Sequence, residues 1–549
     1  MRKILYRALL LCVGLSATIT ADIQAKVKLP RILTDGMVVQ REHPVKLWGT
    51  ADPGECVTIK VIDNKGKTVG AKKGVSTVAN EDGTWIISIP ALKVGGPYVI
   101  NVNDEKISDV LSGDVYLCSG QSNMELAVTR VTDMFGDEIA AYSNTNIRSY
   151  NVPKVTEFHT PLNDLSGGKW KTATQDNVML FSALGYFLAK DLNARTGVPV
   201  GIINSSWGGT HVESWISEEY IKDFPHALNE KRFYEDDGYR DRIKQLENEN
   251  FARWNATMYR SDAGLHGEKK WFDPTLDDSS WQVVDLFSTN WATDGMNPVN
   301  GSHWFRKTIN IPADKAGKSA ILRMGCIVDV DSVFINGKFV GTTSYQYPPR
   351  IYKVPKGLLK AGENNITVRL ISQNGYPHFV KEKPYKLIVD GDAISLEGDW
   401  RYRMGTYMIP GPVMEFFAYK PVSLYNSMIH PLINYTVDGV VWYQGESNVE
   451  RSNEYAALLE AMIKNWRADF NASEMPFYIV ELADYLPYSD VAGRAAWEKM
   501  RGVQAQVADE TPNAYLIPNK DLGEWNDIHP LNKKTLGERV VNAILNQRK

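Results

Sequence analysis

The chain predicts an α/β protein in which a domain of alternating strands and helices is interrupted by one β-sandwich and preceded by another. Three observations point there. Over 111–265 and again over 406–549, short apolar runs alternate with stretches of helical period. Over 26–110 and 266–405 the pattern is instead many short strands separated by turn residues. Both alternating stretches also place small or titratable residues directly after a strand, where open α/β sheets carry their chemistry. A length of 549 residues suits several domains rather than one.

Composition narrows the partners. A net charge of −4 argues against nucleic acid or an anionic membrane as the main partner. The 15 Trp and 26 Tyr lean slightly toward sugar rings, although most such side chains simply pack in cores. Residues 1–25 read as a signal peptide: Arg2, Lys3 and Arg7 precede an apolar run at 8–15, and small residues follow, with cleavage after Ala21 or Ala25. Leu11 before Cys12 is too large for a lipoprotein-type site. No later segment is apolar enough to span a bilayer, so an exported protein, periplasmic or extracellular, is expected. Without Cys12, Cys56, Cys118 and Cys326 remain; their odd number and wide spacing read as buried free thiols, with room for one pair. No metal-ligand spacing occurs, and no metal or cofactor is expected.

In chain order, Val45–Trp48, Val57–Val61, Thr84–Ile89 and Tyr98–Val102 read as strands, separated by turns such as Asp52-Pro-Gly and Glu81-Asp-Gly. This first sandwich is either a spacer or a carbohydrate-binding module. Val115–Cys118 is a strand, Phe181–Leu192 a core-facing helix and Val200–Ile203 the next strand. Residues 217–260 are charged and helical, broken at Asp223-Phe-Pro225. In the inserted sandwich, Asn336-Gly337 marks a hairpin. Alternation then resumes with strand Val437–Tyr443, helix Tyr455–Phe470, strand Pro476–Leu482, helix Trp497–Val507, strand Ala514–Ile517 and a helix from Lys533.

Four strand ends hold the candidate chemistry: Ser122, Gly208-Gly209, Gln444–Asn448 and Asp527-Ile-His529. A Ser displayed on a strand-to-helix turn is a nucleophile candidate, because N–H groups there face developing negative charge. Taken alone, the same stretch serves equally as an ordinary connection capped by Ser119 or Ser122. Gly208-Gly209 could offer a backbone N–H to a reacting oxygen, or simply form a tight turn. A Ser needs a base, and His529 lies after a late strand with an acid beside it.

Together, Leu117-Cys-Ser-Gly-Gln-Ser-Asn-Met124, Trp207-Gly-Gly-Thr210, Trp442-Tyr-Gln-Gly-Glu-Ser-Asn448 and Asp527-Ile-His-Pro530 resemble the SGNH hydrolases, and within them the sialate O-acetylesterase-like carbohydrate esterases. Leu424–Leu432 also looks like a family segment. The resemblance implies a flavodoxin-like three-layer domain and a galactose-binding-like jelly roll as the insert. It implies a serine esterase that removes acetyl groups from a sugar, sialic acid by family. Ser122 would be the nucleophile, His529 the base, and the Ser122, Gly208 or Gly209 backbone with the Gln444 amide the oxyanion hole. Asn526 occupies the position where the family acid usually lies, three residues before the His, so Asp527 is the candidate acid and Glu524 the fallback, a Ser–His dyad being the third option. Glu446 and Asn448 would support the loop, and Ser119 would be a turn residue. An acetylxylan esterase and a non-catalytic carbohydrate-binding protein are the competing expectations. The oligomeric state is not legible.

Overall fold

A computed structural model describes residues 27–548 of the chain. The signal peptide expected over 1–25 lies outside the described residues. The centre of the molecule is a sheet built from both alternating stretches. Its elements are β1 (Glu105–Gly120), α1 (Ser122–Glu125), β2 (Asn144–Asn151), β3 (Trp170–Ala173), α2 (Ala183–Thr196) and β4 (Val200–Ser206) before the insert. After it come β5 (Gly439–Tyr443), α3 (Ser452–Asp469), β6 (Phe477–Val480), α4 (Val491–Glu510), β7 (Ala514–Ile517) and α5 (Lys533–Gln547). The strand order is β3-β2-β4-β1-β5-β6-β7, parallel throughout except for the antiparallel edge strand β3.

Local chemistry explains the elements. Every residue of β4, β5 and β6 is buried, as expected for parallel strands covered on both faces. Helix α2 starts where the Ser182 hydroxyl accepts from the Gly185 N–H at 3.2 Å, and it ends at Gly197 in the left-handed region. Helix α2 packs against α5, and α3 against α4. One continuous apolar core runs from Val27 to Ile544 through strands and helices alike. No helix among the described residues is long and apolar enough to cross a membrane.

The first sandwich is joined to this sheet more tightly than its separate turn pattern predicts. Strand β1 is 16 residues long: its first half pairs with strand Gly95–Val102, and its second half with β4 and β5. The core of residues 27–110 is accordingly part of the central core. Cys56 corrects the expectation of buried thiols. It falls on the outward phase of strand Cys56–Ile62 and is exposed, while Cys118 and Cys326 are buried and all three are free. Burial pushes the Cys118 thiol up to about 12, which keeps it protonated.

The two main sheets of the insert are antiparallel, one of six strands and one of four, and share a second apolar core around Phe305, Leu322, Ile366 and Trp400; two short strand pairs accompany them. The hairpin expected at Asn336-Gly337 joins strands Val330–Ile335 and Lys338–Thr343, with both turn residues at positive φ.

The end of β1 requires glycine. Gly120 has φ +133°, and a Cβ there would lie 2.1 Å from the Tyr443 carbonyl oxygen of β5. Gly120→Ala is therefore expected to destabilise the protein by about 3 kcal/mol or more, combining positive-φ strain with a backbone clash. Gly54→Ala, at φ +80° in open space, should cost only about 1–2 kcal/mol. Urea midpoints of the two variants check the difference.

Candidate active site

Three of the four sequence blocks leave the sheet from one level. Gly120 of β1 is the register partner of both Ser206 of β4 and Tyr443 of β5. The loops that follow, beginning at Gln121, Trp207 and Gln444, therefore start side by side at the carboxyl edge of the sheet. They are bonded to one another there. The Gln121 N–H donates to the Tyr443 carbonyl at 3.0 Å, and the Trp207 N–H to the Gly120 carbonyl at 3.1 Å. The Gln121 side-chain oxygen accepts from the Gly445 and Ser447 N–H groups at 3.3 and 3.2 Å. Ser119, expected in the turn, is instead a buried residue of the strand itself.

Asn123 brings in the fourth block. Its side-chain nitrogen donates to Glu446 Oε1 at 2.6 Å and to the Ile528 carbonyl at 2.9 Å, and its oxygen accepts from Lys533 Nζ at 2.7 Å. A single bond thus links the neighbour of Ser122 to the neighbour of His529. The hub is buried: Asn123 and Lys533 are each 1% exposed. Burial pushes the Lys533 ammonium down to about 7 and raises the Glu446 carboxyl above its usual range. The Lys533 ammonium also lies over the Tyr443 ring, 5.1 Å from its centre.

Ser122 opens α1 half-buried, and its own N–H is among the first-turn donors that a helix cannot pair internally. Beside it, a Cβ on Gly208 would lie 3.3 Å from Ser122 Cβ, so the Gly-Gly turn packs directly on the serine. Gly209, at φ +78°, is covered by the Tyr419 hydroxyl, which a Cβ there would meet at 1.9 Å.

Two expected oxyanion donors are committed elsewhere. The Gly208 N–H donates to Glu125 Oε2 at 2.6 Å, and that carboxylate also takes Lys154 Nζ at 2.6 Å. The fully buried Gln444 amide donates to the Thr210 carbonyl at 3.1 Å and to Asn448 Oδ1 at 2.7 Å, while its oxygen accepts from the Tyr455 hydroxyl at 2.8 Å. Gln444 therefore fastens the loops from within, where a buried amide needs every bond it can make. Asn448 continues the network to Glu213 at 2.9 Å.

His529 is 6% exposed, and its imidazole packs edge-on against the Tyr347 ring of the insert with centres 5.0 Å apart. Burial first, then the nearby Arg130 and Lys533 charges, push it down to about 3, so the ring is neutral at ordinary pH. Its Nδ1 is buried and unpaired. Asp527, the candidate acid, lies beside the ring without bonding to it. Its Oδ1 accepts the His529 backbone N–H at 2.9 Å and lies 3.8 Å from Nδ1, too far for a hydrogen bond, while Oδ2 takes Lys383 Nζ at 3.1 Å. Glu524 does not reach the ring either; it accepts the Leu531 N–H at 2.9 Å and Lys383 Nζ at 2.9 Å. Asn526 donates to the Lys381 carbonyl at 2.8 Å.

Sequence reasoning missed Asn123, Lys533, Glu125, Tyr347 and Lys383. Asn123 and Lys533 stand inside or just after recognised motifs, where a buried amide and a buried ammonium ask for partners. The contacts of Tyr347 and Lys383 cross from the insert and leave no local signal.

Known proteins resemble this chain in sequence and in fold. Residues 409–546 match the family model of carbohydrate esterases described as sialic acid-specific acetylesterase. A sialate O-acetylesterase of Pongo abelii is 33% identical over 208 residues, which cover 35% of this chain and 39% of that protein. One from Rattus norvegicus is 22% identical over 539 residues, covering 92% of this chain and 70% of the relative. The fold is similar to that of a carbohydrate acetylesterase from Xanthomonas citri, with a TM-score of 0.54 at 23% identity over 94% of this chain and 74% of that one. The matched segment thus lies in the second half of the central sheet domain, and the relatives that this chain resembles are sialate O-acetylesterases and a carbohydrate acetylesterase.

Proposed function

We propose that this protein is an exported carbohydrate O-acetylesterase that hydrolyses acetyl esters on sugar hydroxyls, a sialic acid being the substrate that its relatives suggest. The observation that carries the reading is the 2.9 Å bond from Asn123 to Ile528, which holds Ser122 and His529 on either side of one hydrogen bond. In this reading the sheet and its helices are an SGNH three-layer domain, the residues over 266–405 a jelly-roll insert, and 26–110 a companion sandwich.

Ser122 Oγ attacks the acetyl carbonyl while the neutral imidazole of His529 takes its proton. The oxyanion is met by the Ser122 and Gly209 N–H groups; a substrate that displaces the Glu125 carboxylate would free the Gly208 N–H as a third donor. The imidazolium then returns its proton to the departing sugar oxygen, leaving an acetyl-serine. Water, deprotonated by His529, releases acetate and restores Ser122. Asp527 is the orienting carboxylate, which closes on Nδ1 as the ring gains its proton. A dyad remains the competing arrangement, and Asp527→Ala with near-normal kcat would favour it.

Ser122→Ala should abolish acetate release from an O-acetylated sugar and from 4-nitrophenyl acetate, with an unchanged circular dichroism spectrum. Full activity in that variant overturns the assignment. Asn123→Ala strips partners from the Ile528 carbonyl, Glu446 and Lys533, and should cost about 3 kcal/mol or more in a denaturant titration.

The depressed proton affinity of His529 also makes a pH prediction. Its folded value of about 3 lies below its ordinary 6.5, so between these limits the unfolded chain binds the extra proton. Stability therefore falls as pH drops from 6.5 toward 3, by up to about 1.4 kcal/mol per pH unit. Lys533 adds the same sign between about 7 and 10.5, and the raised Glu446 opposes it on the alkaline side of the usual carboxylate range. Thermal midpoints from pH 6.5 to 4 should fall less steeply in His529→Gln than in the unmodified protein.

A further inference from the structure

Glu125 stands against the serine. It is the last residue of α1, three positions after Ser122 and therefore on the same helix face. Its Oε2 atom accepts the Gly208 N–H at 2.6 Å, and its Oε1 atom accepts from Lys154 Nζ at 2.6 Å. A Cβ on Gly208 would meet Ser122 Cβ at 3.3 Å and Glu125 Oε2 at 3.4 Å, so the serine and the carboxylate flank one glycine. Both members of the ion pair reach solvent, the Glu125 side chain being 36% exposed and that of Lys154 39%. Lys154 also lies 5.6 Å from the centre of the Trp207 ring, on the loop that carries Gly208.

While this carboxylate holds the Gly208 N–H, that donor cannot meet an oxyanion. A charge-assisted bond is given up at little cost only when another donor replaces it. The acetyl ester itself has no donor, but a hydroxyl on the neighbouring sugar carbon does, and it lies within a few bonds of the reacting carbonyl. We propose that Glu125 is a specificity-determining residue: it accepts the sugar hydroxyl next to the acetyl ester and, in turning to it, releases the Gly208 N–H to the oxyanion. Lys154 keeps hold of the other carboxylate oxygen during the exchange, so the charge pivots in place. This rests on the esterase reading above and adds what the substrate must carry, a free hydroxyl on the carbon beside the acetylated one. A simple acetyl ester lacks that group and must break the Glu125 bond without a replacement.

The test compares kcat/KM for 9-O-acetyl-N-acetylneuraminic acid and its 8-deoxy analogue, and for methyl 2-O-acetyl-xyloside and its 3-deoxy analogue. Each analogue loses the neighbouring hydroxyl without gaining bulk. On whichever sugar is hydrolysed, the full-length protein should prefer the parent by about tenfold or more, the ratio expected of one hydrogen bond to a charged group. In Glu125→Ala that preference should fall to about one, and hydrolysis of 4-nitrophenyl acetate should rise by about tenfold as the Gly208 N–H comes free. Glu125→Gln keeps an acceptor without the charge and should show an intermediate preference. The preference is a ratio within one protein, so a general loss of activity does not imitate it. If the alanine variant does not fold, the unmodified protein and Glu125→Gln decide. Equal rates on parent and deoxy sugars, or a preference that survives undiminished in either variant, would overturn the proposal. A folded Glu125→Ala that hydrolyses 4-nitrophenyl acetate more slowly than the unmodified protein would overturn it too. Hydrolysis of 4-nitrophenyl acetate but of neither sugar sinks the Glu125 proposal alone; no hydrolysis of any ester sinks the esterase reading.

Discussion

The register of β1 between β4 and β5 is the constraint on which the rest depends. Because Gly120 lies level with Ser206 and Tyr443, three loops start at one height, and their backbone groups can bond across the sheet edge. A shift of one residue would turn each side chain to the opposite face and break that alignment. The glycine at the end of β1 lets the strands approach closely enough for the Gln121 N–H to reach the Tyr443 carbonyl. Everything local to Ser122 follows: the helix start that presents it, the Gly-Gly turn against it, and the Asn123 amide behind it.

Behind the serine the protein buries charge-bearing groups and manages them through a shared neutral partner. Asn123 stands between Glu446 and Lys533, so neither meets bare apolar surroundings, and its remaining bond goes to the chain beside His529. Removing water weakens the affinity of His529 and Lys533 for protons, so the imidazole stays neutral at ordinary pH. The insert contributes from the other side. Tyr347 covers the imidazole, and Lys383 holds the Asp527 and Glu524 carboxylates. The site is therefore walled by residues separated by the greater part of the chain.

Much of the architecture is legible in the sequence because local patterns carry it. The α2 stretch has a Ser cap and a terminal Gly, Ala514–Ile517 is bounded by turn residues, and Asn336-Gly337 admits hardly any reading but a hairpin. What escapes depends on contacts between distant segments. That β1 runs unbroken from the first sandwich into the central sheet is invisible at its glycine-containing middle. Gln444 looks like an exposed donor in a loop motif, yet its neighbours Thr210, Asn448 and Tyr455 consume both ends of its amide. Asp527 has the right spacing to serve His529, but Lys383 from the insert and the backbone N–H of His529 compete for its oxygens. Cys56 departs from expectation for a simpler reason: strand phase, not residue type, decides which side faces water.

The interruption of the central sheet has a consequence during synthesis. All strands that lie on one side of β1 precede the insert, and all those on the other side follow it. As the chain emerges from the ribosome, β1 can gain β4 early, but its second edge waits for β5; Asn123 and Glu446, which close that seam, are 323 residues apart. For that interval an apolar strand edge stands open beside a finished half-sheet, the kind of surface that invites pairing with the wrong chain. The sandwich translated in between is thus also a delay, and the cell must keep the first half unaggregated until the second arrives.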